Sequence, residues 1–388
     1  MTVTAALVGA LDARIGACLE LPFQVRGVPH RRLHNPFSGA GVLLNPARGS
    51  RTRAEPGACP YCAGRTPPTL FYVRGRRGQP VPVVEDEAES LAVARAMRTR
   101  GEGDPWAVIA ALAGRRRVDA TGRPVPLVHP AEPWLARVFL NLTPAVVSAE
   151  SAANAFVVSV PPALHEADLA PVRRTDREAG PTLPPEALAA VVRSWVLLEV
   201  WAAARGLVAV PFINGGKDRA SGQSLGCFHS QVVVLGPEDA PPLYAEIARR
   251  RVTAGCPVCA LLADPGLRVA DVGSVAVAVH PAPDRDLTLV VAPYAETTTL
   301  ADLLPEDLSR ALLVAASCLE RALGGLPAYN VAVRLGPEVG HLHAEVVPRS
   351  GVNVRAGFEV ATGLTVLTRD PREVAARLRA EVTGREGA

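Results

Sequence analysis

The feature that most constrains the fold is an internal repeat, in which two halves of the chain carry the same motifs in the same order. A Cys-Pro-x-Cys motif occurs at residues 59–62 and again at 256–259. Each half then continues through strand-like and helix-like segments and ends on a histidine just ahead of two valines, within residues 227–233 and 341–347. The sequence therefore predicts an α+β chain of two related lobes, each an antiparallel sheet with helices packed on it.

The length suits this organisation, because 388 residues can form two domains with sizeable cores. We expect an N-terminal extension at 1–29, a catalytic lobe with a helical insertion at 30–240, and a second lobe at 241–388. The charge-rich helices of the insertion fall between residues 74 and 128 and carry no recognisable chemistry.

Composition excludes several classes of function. The net charge of +3 is mild, and the arginines form no aromatic-studded basic stripe, which argues against a nucleic-acid partner. No apolar run has the length to span a bilayer, and the first residues lack the basic start and cleavage site of a signal peptide. We therefore expect a cytoplasmic protein without a membrane partner, in which paired cysteines favour metal over disulfides.

Residues 224–231, Ser-Leu-Gly-Cys-Phe-His-Ser-Gln, carry the most chemistry and lead into valines that predict a buried strand. Alternation along a strand would place Cys227, His229 and Gln231 on one face. The competing interpretation is a half-buried strand with a satisfied core histidine.

A glycine-rich loop at 212–217 precedes this segment, and its backbone N–H groups suit an anion. It contains Lys217, the only lysine among 41 basic residues. A flexible ammonium is a good point-charge partner for phosphate, although the lysine could also have survived by chance.

The first Cys-Pro-x-Cys motif lies in a loop rich in proline and glycine. Its spacing is typical of a zinc knuckle, a short loop whose two cysteines bind the metal. A redox pair is the alternative, but such pairs usually stand at the start of a helix after a strand.

These motifs resemble the galactose-1-phosphate uridylyltransferase family, the transferase branch of the histidine-triad superfamily. Asn-x-Gly, then Ser-Leu, then a ligand-type residue, one further residue and His-Ser-Gln is similar to the family's active-site segment, which commonly has histidine where Cys227 stands. His-Arg-Arg-x-x-Asn-Pro near residue 30 and Thr-Pro-Pro after the first cysteine pair extend the resemblance over most of residues 30–380. It implies histidine-triad-like lobes and a homodimer with sites shared between subunits.

The resemblance also implies a structural zinc ion in the first lobe, with cysteine replacing the family's last histidine ligand. Zinc accepts thiolate as readily as imidazole, so the replacement keeps the site. Aligning the two halves yields a second set, which either holds a second metal ion or is a vestige. The two sets are Cys59, Cys62, His165 and Cys227, and Cys256, Cys259, Glu296 and His341.

Further roles follow from the same resemblance. His229 would be the nucleophile and Gln231 a donor to the transferring phosphoryl group. The residues that would contact the nucleotide and its phosphates are Arg48, Arg51, Asn141, Asn214, Lys217 and Ser224, and those that would contact the sugar are Phe358 and Glu359. A solvated loop for the two arginines and a plain surface turn around Phe358 are the alternatives.

The implied function is transfer of a nucleoside monophosphate from a nucleoside-diphosphate sugar to a sugar 1-phosphate through a nucleotidyl-histidine, as in UDP-glucose–hexose-1-phosphate uridylyltransferases of carbohydrate metabolism. Hydrolytic members of the superfamily carry a third histidine where Gln231 stands, so the amide favours transfer over hydrolysis. Two alternatives stay open: a phosphorylase that uses inorganic phosphate, and a nucleotide-binding module without turnover. Pocket shape sets the base and the sugar, and no motif reveals it.

Overall fold

The computed structural model of the chain describes residues 5–19, 31–34, 36, 41–44, 69–74, 80–82, 134–141, 155–171, 180–216, 219–223, 225–236, 241–353 and 356–383. The chain divides into two compact units that interleave along the sequence. Unit 1 is Met1–His165, Arg193–Ala209 and Ser224–Pro242, and unit 2 is Glu166–Val192, Val210–Gln223 and Leu243–Ala388. The predicted insertion helices lie outside the described residues.

Most of the described helices begin on a proline, because proline has the φ angle of a helix and lacks the N–H that the first turn leaves unpaired. The helices are α1 (Ala5–Leu19), α2 (Pro185–Ala203), α3 (Pro242–Ala254), α4 (Pro257–Ala263), α5 (Pro305–Leu323), α6 (Gly357–Thr362) and α7 (Pro371–Thr383). The strands are β1 (Arg31–His34), β2 (Gly41–Leu44), β3 (Phe71–Arg74), β4 (Pro80–Pro82), β5 (Trp134–Leu140), β6 (Ala155–Ser159), β7 (Val208–Gly215), β8 (His229–Leu235), β9 (Arg268–Val272), β10 (Val275–Val279), β11 (Leu289–Pro293), β12 (Tyr329–Arg334) and β13 (His343–Pro348).

Unit 1 is built on antiparallel strands in the order β4-β3-β5-β6-β8, with β1 and β2 forming a separate two-stranded sheet. Every residue of β6 is buried, which explains its continuous apolar sequence. In the pairing of β6 with β8, Ser159 lies opposite His229 and Val157 lies opposite Gln231. The buried strand β6 therefore fixes the position of both predicted catalytic residues.

Unit 2 has antiparallel strands in the order β7-β12-β13-β11-β10-β9, with β7 contributing from Val210 onward. Helix α5 packs on β9, β10, β11 and β13 through one apolar face, and it ends at Gly324, whose φ of 71° suits a left-handed cap. Helix α4 packs Val258, Leu261 and Leu262 against Ala276 and other small residues of β10 and β11. This packing seats the first turn of α4, with its cysteines, on unit 2.

The predicted α+β class with antiparallel sheets and packed helices is confirmed. The order β3-β5-β6-β8 in unit 1 matches β9-β10-β11-β13 in unit 2. In each unit three neighbouring strands of the sheet lead to a strand whose first residue is the last histidine of a Cys-x-His or His-x-His segment. This agreement is what an internal repeat requires; the repeat itself and the predicted boundaries at residues 30 and 241 stay predictions. No helix in the part of the chain described above combines the length and apolarity needed to cross a membrane.

Candidate active site and metal centre

The geometry of His229 fixes which ring nitrogen carries its proton. The residue begins β8 and is 3% exposed, and its Nδ1 lies 2.9 Å from the carbonyl oxygen of Cys227. A carbonyl oxygen only accepts, so Nδ1 carries the proton and donates it. In the neutral ring the lone pair then lies on Nε2, which is the nitrogen able to attack a phosphorus atom.

The prediction that Cys227 lies on the same strand as His229 is wrong. Strand β8 begins at His229, and Cys227 occupies a bend before it. The imidazole reaches back two residues to the carbonyl oxygen of Cys227 at this bend. Cys227 is nevertheless buried, at 6% exposure.

Gln231 is oriented by a neighbouring strand of unit 1. Its Oε1 accepts a hydrogen bond of 3.1 Å from Nδ2 of Asn141, which directly follows β5. With the oxygen accepting from Asn141, the N–H₂ group is the part of this amide that can donate to a ligand. Asn141 was predicted to contact the nucleotide, whereas the structure shows it positioning Gln231; its nucleotide contact stays a prediction.

The backbone around the histidine is anchored on both sides. Trp195 donates from Nε1 to Oγ of Ser230 at 2.7 Å, and both residues are fully buried. The N–H of Phe228 donates to the carbonyl oxygen of His165 at 3.1 Å. These bonds hold the start of β8 rigidly, as a site for group transfer requires.

Two of the four residues predicted to bind zinc in the first lobe lie in segments that this bond brings together, since Phe228 directly follows Cys227 and donates to the carbonyl oxygen of His165. His165 is 5% exposed, and its Nε2 lies 2.8 Å from the carbonyl oxygen of Val160. Nε2 is therefore the protonated nitrogen, and Nδ1 faces the opposite side of the ring, as in a metal-binding histidine held by a second hydrogen bond. Cys59 and Cys62 lie outside the described residues.

The glycine loop is held within unit 2 by a half-buried asparagine pair and by the buried Asp168. Nδ2 of Asn330 donates to Oδ1 of Asn214 at 2.7 Å. Oδ2 of Asp168 accepts from the N–H of Gly216 at 3.0 Å, and its Oδ1 accepts from the hydroxyl of Tyr329 at 2.5 Å. The predicted phosphate contact of Asn214 stays a prediction, and Lys217 and Ser224 lie outside the described residues.

Sequence reasoning assigned no role to Asp168 or Tyr329. The two residues are 161 positions apart, so no local pattern links them. The one indirect signal was the glycine pair, because a Cβ at Gly215 would lie 2.2 Å from the Tyr329 ring and one at Gly216 would lie 2.0 Å from the carbonyl oxygen of Pro327. The glycines are required by this close approach.

The second predicted metal set is assembled in unit 2. The ligand atoms of Cys256, Cys259, Glu296 and His341 all lie within 4.8 Å of one another. His341 Nδ1 is 3.4 Å from Cys256 Sγ and 3.3 Å from Cys259 Sγ, and Oε2 of Glu296 is 3.7 Å from Cys259 Sγ. Ligands at zinc's usual bond lengths in a tetrahedron are about 3.3–3.8 Å apart, so these spacings fit zinc.

The surroundings of this cluster also suit a cation. Nε2 of His341 donates to the carbonyl oxygen of Pro293 at 2.9 Å, which turns Nδ1 toward the two sulfur atoms. Burial and the neighbouring Cys256 raise the pKa of the Cys259 thiol, and burial lowers the pKa of His341. A bound cation would favour the thiolate and the neutral imidazole, the forms that ligate metal.

His343 in unit 2 is arranged like His229, but the residue two positions later is different. Its Nδ1 donates to the carbonyl oxygen of His341 at 2.9 Å, and burial lowers its pKa. Where unit 1 has the amide of Gln231, unit 2 has Glu345, which pairs with Arg334 at 2.7 Å. Burial alone would raise the pKa of Glu345, but Arg334 holds it below its usual range. A carboxylate cannot donate a hydrogen bond to a phosphate oxygen as the amide of Gln231 can, and that only the first lobe is catalytic stays a prediction.

The predicted sugar-binding pair lies in α6. The Phe358 side chain is 54% exposed, while Glu359 is 7% exposed and its Oε2 accepts from the N–H of Ala356 at 3.0 Å. Glu359 thus caps the helix, and its contact with a sugar stays a prediction. Arg48 and Arg51 lie outside the described residues.

No family model and no curated protein matches the chain. Among solved structures, a GalT-like protein from Arabidopsis thaliana is similar over 91% of this chain and 99% of its own, with a TM-score of 0.55 and 16% identity. An ADP-glucose phosphorylase from Arabidopsis thaliana, solved with bound ADP-glucose, covers 90% and 99% with a TM-score of 0.56 and 17% identity. A uridylyltransferase covers 92% and 99% with a TM-score of 0.56 and 19% identity. The predicted likeness to uridylyltransferases is confirmed at the level of the fold.

Proposed function

We propose that the chain is a nucleotidyltransferase that moves a nucleoside monophosphate between phosphate-bearing molecules through a covalent intermediate on His229. The observation that carries the proposal is the hydrogen bond from Nδ1 of His229 to the Cys227 carbonyl, which puts the lone pair on Nε2. The oriented amide of Gln231 supplies a donor two residues further along β8.

In the first step Nε2 of His229 attacks the α-phosphorus of a nucleoside-diphosphate sugar. The N–P bond forms as the bond to the bridging oxygen breaks, and sugar 1-phosphate leaves with the electron pair. In the second step a phosphate oxygen of the acceptor attacks the same phosphorus and the N–P bond breaks. The amide of Gln231 would stabilise a nonbridging oxygen as charge develops there.

The chemistry of Gln231 favours transfer over hydrolysis. A glutamine amide does not ionise near neutral pH, so it gives no general acid for a basic leaving group. Sugar phosphates are weakly basic and leave without one. The best acceptor for this site is therefore another phosphate.

A phosphorylase reaction is the second candidate, in which inorganic phosphate is the acceptor and a nucleoside diphosphate is released. It is favoured by one comparison, since an ADP-glucose phosphorylase shares the fold over nearly the whole chain. The residues of unit 1 would serve both reactions, and the acceptor alone separates them.

Intact-protein mass spectrometry after brief incubation with UDP-, ADP-, GDP- and TDP-sugars tests the proposal. We expect an added nucleoside monophosphate that is absent in His229→Ala and present in His343→Ala, the matched histidine of unit 2. No adduct with any donor would refute the transferase and leave a binding module. Adding phosphate or hexose 1-phosphate to the labelled protein then separates the reactions, because phosphate would release a nucleoside diphosphate and the sugar phosphate a nucleotide sugar.

We infer further that the unit 2 cluster binds a structural zinc ion, alongside the zinc predicted for Cys59, Cys62, His165 and Cys227. Four protein ligands close the site, so it leaves no position for a reactive water. Metal analysis of the purified protein should find zinc, and the paired change of Cys256 and Cys259 to serine should remove one equivalent. Unchanged zinc content in that variant would contradict the inference.

A further inference from the structure

Arg251 lies beside the metal cluster of unit 2 and is bonded to one of its ligands. It belongs to the last turn of α3, and its Nη2 forms a salt bridge with Oε1 of Glu296. The other carboxylate oxygen of Glu296, Oε2, faces Cys259 Sγ at 3.7 Å. One oxygen is therefore held by the guanidinium while the other faces the sulfur atoms.

The chain makes room for this guanidinium. Gly340, next to His341, has a φ of +74°, and a Cβ there would lie 1.2 Å from Nη1 of Arg251. Any side chain at position 340 would displace the Arg251 guanidinium, so Arg251 can lie here only beside a glycine, which the positive φ also favours. The Arg251 guanidinium thus contacts Glu296 on one side of the cluster and lies against Gly340 on the other.

The formal charge of a zinc ion with these four ligands explains why a cation would lie beside the site. Two thiolates and two histidines balance Zn²⁺, whereas two thiolates, one histidine and one carboxylate leave one net negative charge. A cation in contact with this negative charge stabilises it, and solvent weakens the effect because the Arg251 and Glu296 side chains are 31% and 43% exposed. The guanidinium on Glu296 makes the site neutral again.

We propose that Arg251 is a positioning residue for the metal centre, which orients Glu296 as a one-oxygen ligand and balances its charge. The proposal rests on the zinc site inferred above. The Arg251–Glu296 pair then does the work that a single neutral histidine would do at the fourth ligand position.

The test measures zinc affinity by competition with a chelator, together with the absorption spectrum of the cobalt-substituted protein. Arg251→Met is compared with Arg250→Met, whose side chain is 72% exposed and pairs with Glu246. Both are made in the natural chain and in Glu296→His, and the Cys256/Cys259 double serine variant identifies the signal of this site.

We expect Arg251→Met to weaken zinc binding about 10–100-fold in the natural chain, as loss of a residue that orients a metal ligand does. In the Glu296→His background, where the ligand is neutral, the same change should have no more effect than Arg250→Met. In the natural chain, the cobalt spectrum should shift in Arg251→Met and stay unchanged in Arg250→Met, because only the first change alters how Glu296 coordinates the metal.

Three outcomes would overturn the proposal. Equal zinc affinity of Arg251→Met and Arg250→Met in the natural chain would show that Arg251 does not act on the metal. An equal loss from Arg251→Met in both backgrounds would show a structural role unrelated to the charge of Glu296. If the unaltered protein holds no zinc at this cluster, both the inferred zinc site and the role of Arg251 are refuted. The first two outcomes refute only the role of Arg251 and leave the zinc site standing.

Discussion

Replacing Tyr329 by phenylalanine removes one oxygen atom from the hydrogen-bond network that holds the glycine loop. The hydroxyl donates to Oδ1 of Asp168 at 2.5 Å, and the exposures of Tyr329 and Asp168 are 0% and 1%. Asp168 keeps its bonds from the N–H groups of Leu169 and Gly216. The perturbation therefore isolates a single buried, charge-assisted hydrogen bond.

Hydrogen bonds to charged groups contribute about 1.5–3 kcal/mol, and here the carboxylate stays buried after its donor is lost. We expect Tyr329→Phe to lower the free energy of unfolding by about that amount. Burial and then the Asp168 charge raise the pKa of Tyr329 well above its ordinary value. The stabilisation is therefore complete below pH 10 and is lost as the pH rises above about 10, where the unfolded tyrosine ionises first.

Urea unfolding of the full chain at pH 7 and at pH 10.5 measures both effects. Tyr294→Phe is the matched control, since the Tyr294 hydroxyl also donates to an aspartate, Asp271, but the residue is 43% exposed. The control should lose under about 1 kcal/mol. Equal losses in the two variants, or a loss for Tyr329→Phe that does not shrink at the higher pH, would refute the reasoning.

Three further predictions concern other parts of the chain. Gly216→Ala should destabilise the protein at least about 2 kcal/mol more than Gly222→Ala in urea unfolding, because both have a φ of +83° but only the first meets other atoms; similar losses would contradict this. Asn141→Ala should slow formation of the covalent adduct about tenfold in single-turnover mass spectrometry, by releasing the Gln231 amide, and an unchanged rate would exclude that role. Burial raises the pKa of Cys318 to about 11, so stability should fall between about pH 8.5 and 11, and the folded thiol should resist iodoacetamide at pH 8.5; labelling as fast as in the unfolded chain would show the opposite.

Much of the architecture follows from local signals in the sequence. Helix α5 begins and ends at local signals, because Pro305 can start a helix and Gly324 stops it. Aligning the two halves puts the position of the missing histidine near Glu296 or Thr297, with Glu296 as the candidate ligand, and the structure places Glu296 against Cys259. The order and spacing of motifs in the chain are enough to predict which residues meet when those residues belong to corresponding segments of the two halves.

The remaining features depend on contacts that leave no local trace. Arg249, Arg250 and Arg251 form one basic run on a helix, and in sequence all three look like solvent-facing charges. Two of them pair with Glu246 one turn away, while Arg251 reaches a carboxylate 45 residues further along the chain. Only the folded position of α3 separates the third arginine from the others.

The carbonyl groups of Cys227 and His341 have a consequence for how such proteins change over time. Each accepts from Nδ1 of the histidine two residues later at 2.9 Å, although one residue carries a thiol and the other an imidazole. The carbonyl group of the earlier residue orients the histidine ring, and its side chain takes no part in that bond. A change of side chain at position 227 therefore leaves the proton on His229 where it is, so the predicted metal ligand and the predicted nucleophile can be altered separately, in evolution and in engineering.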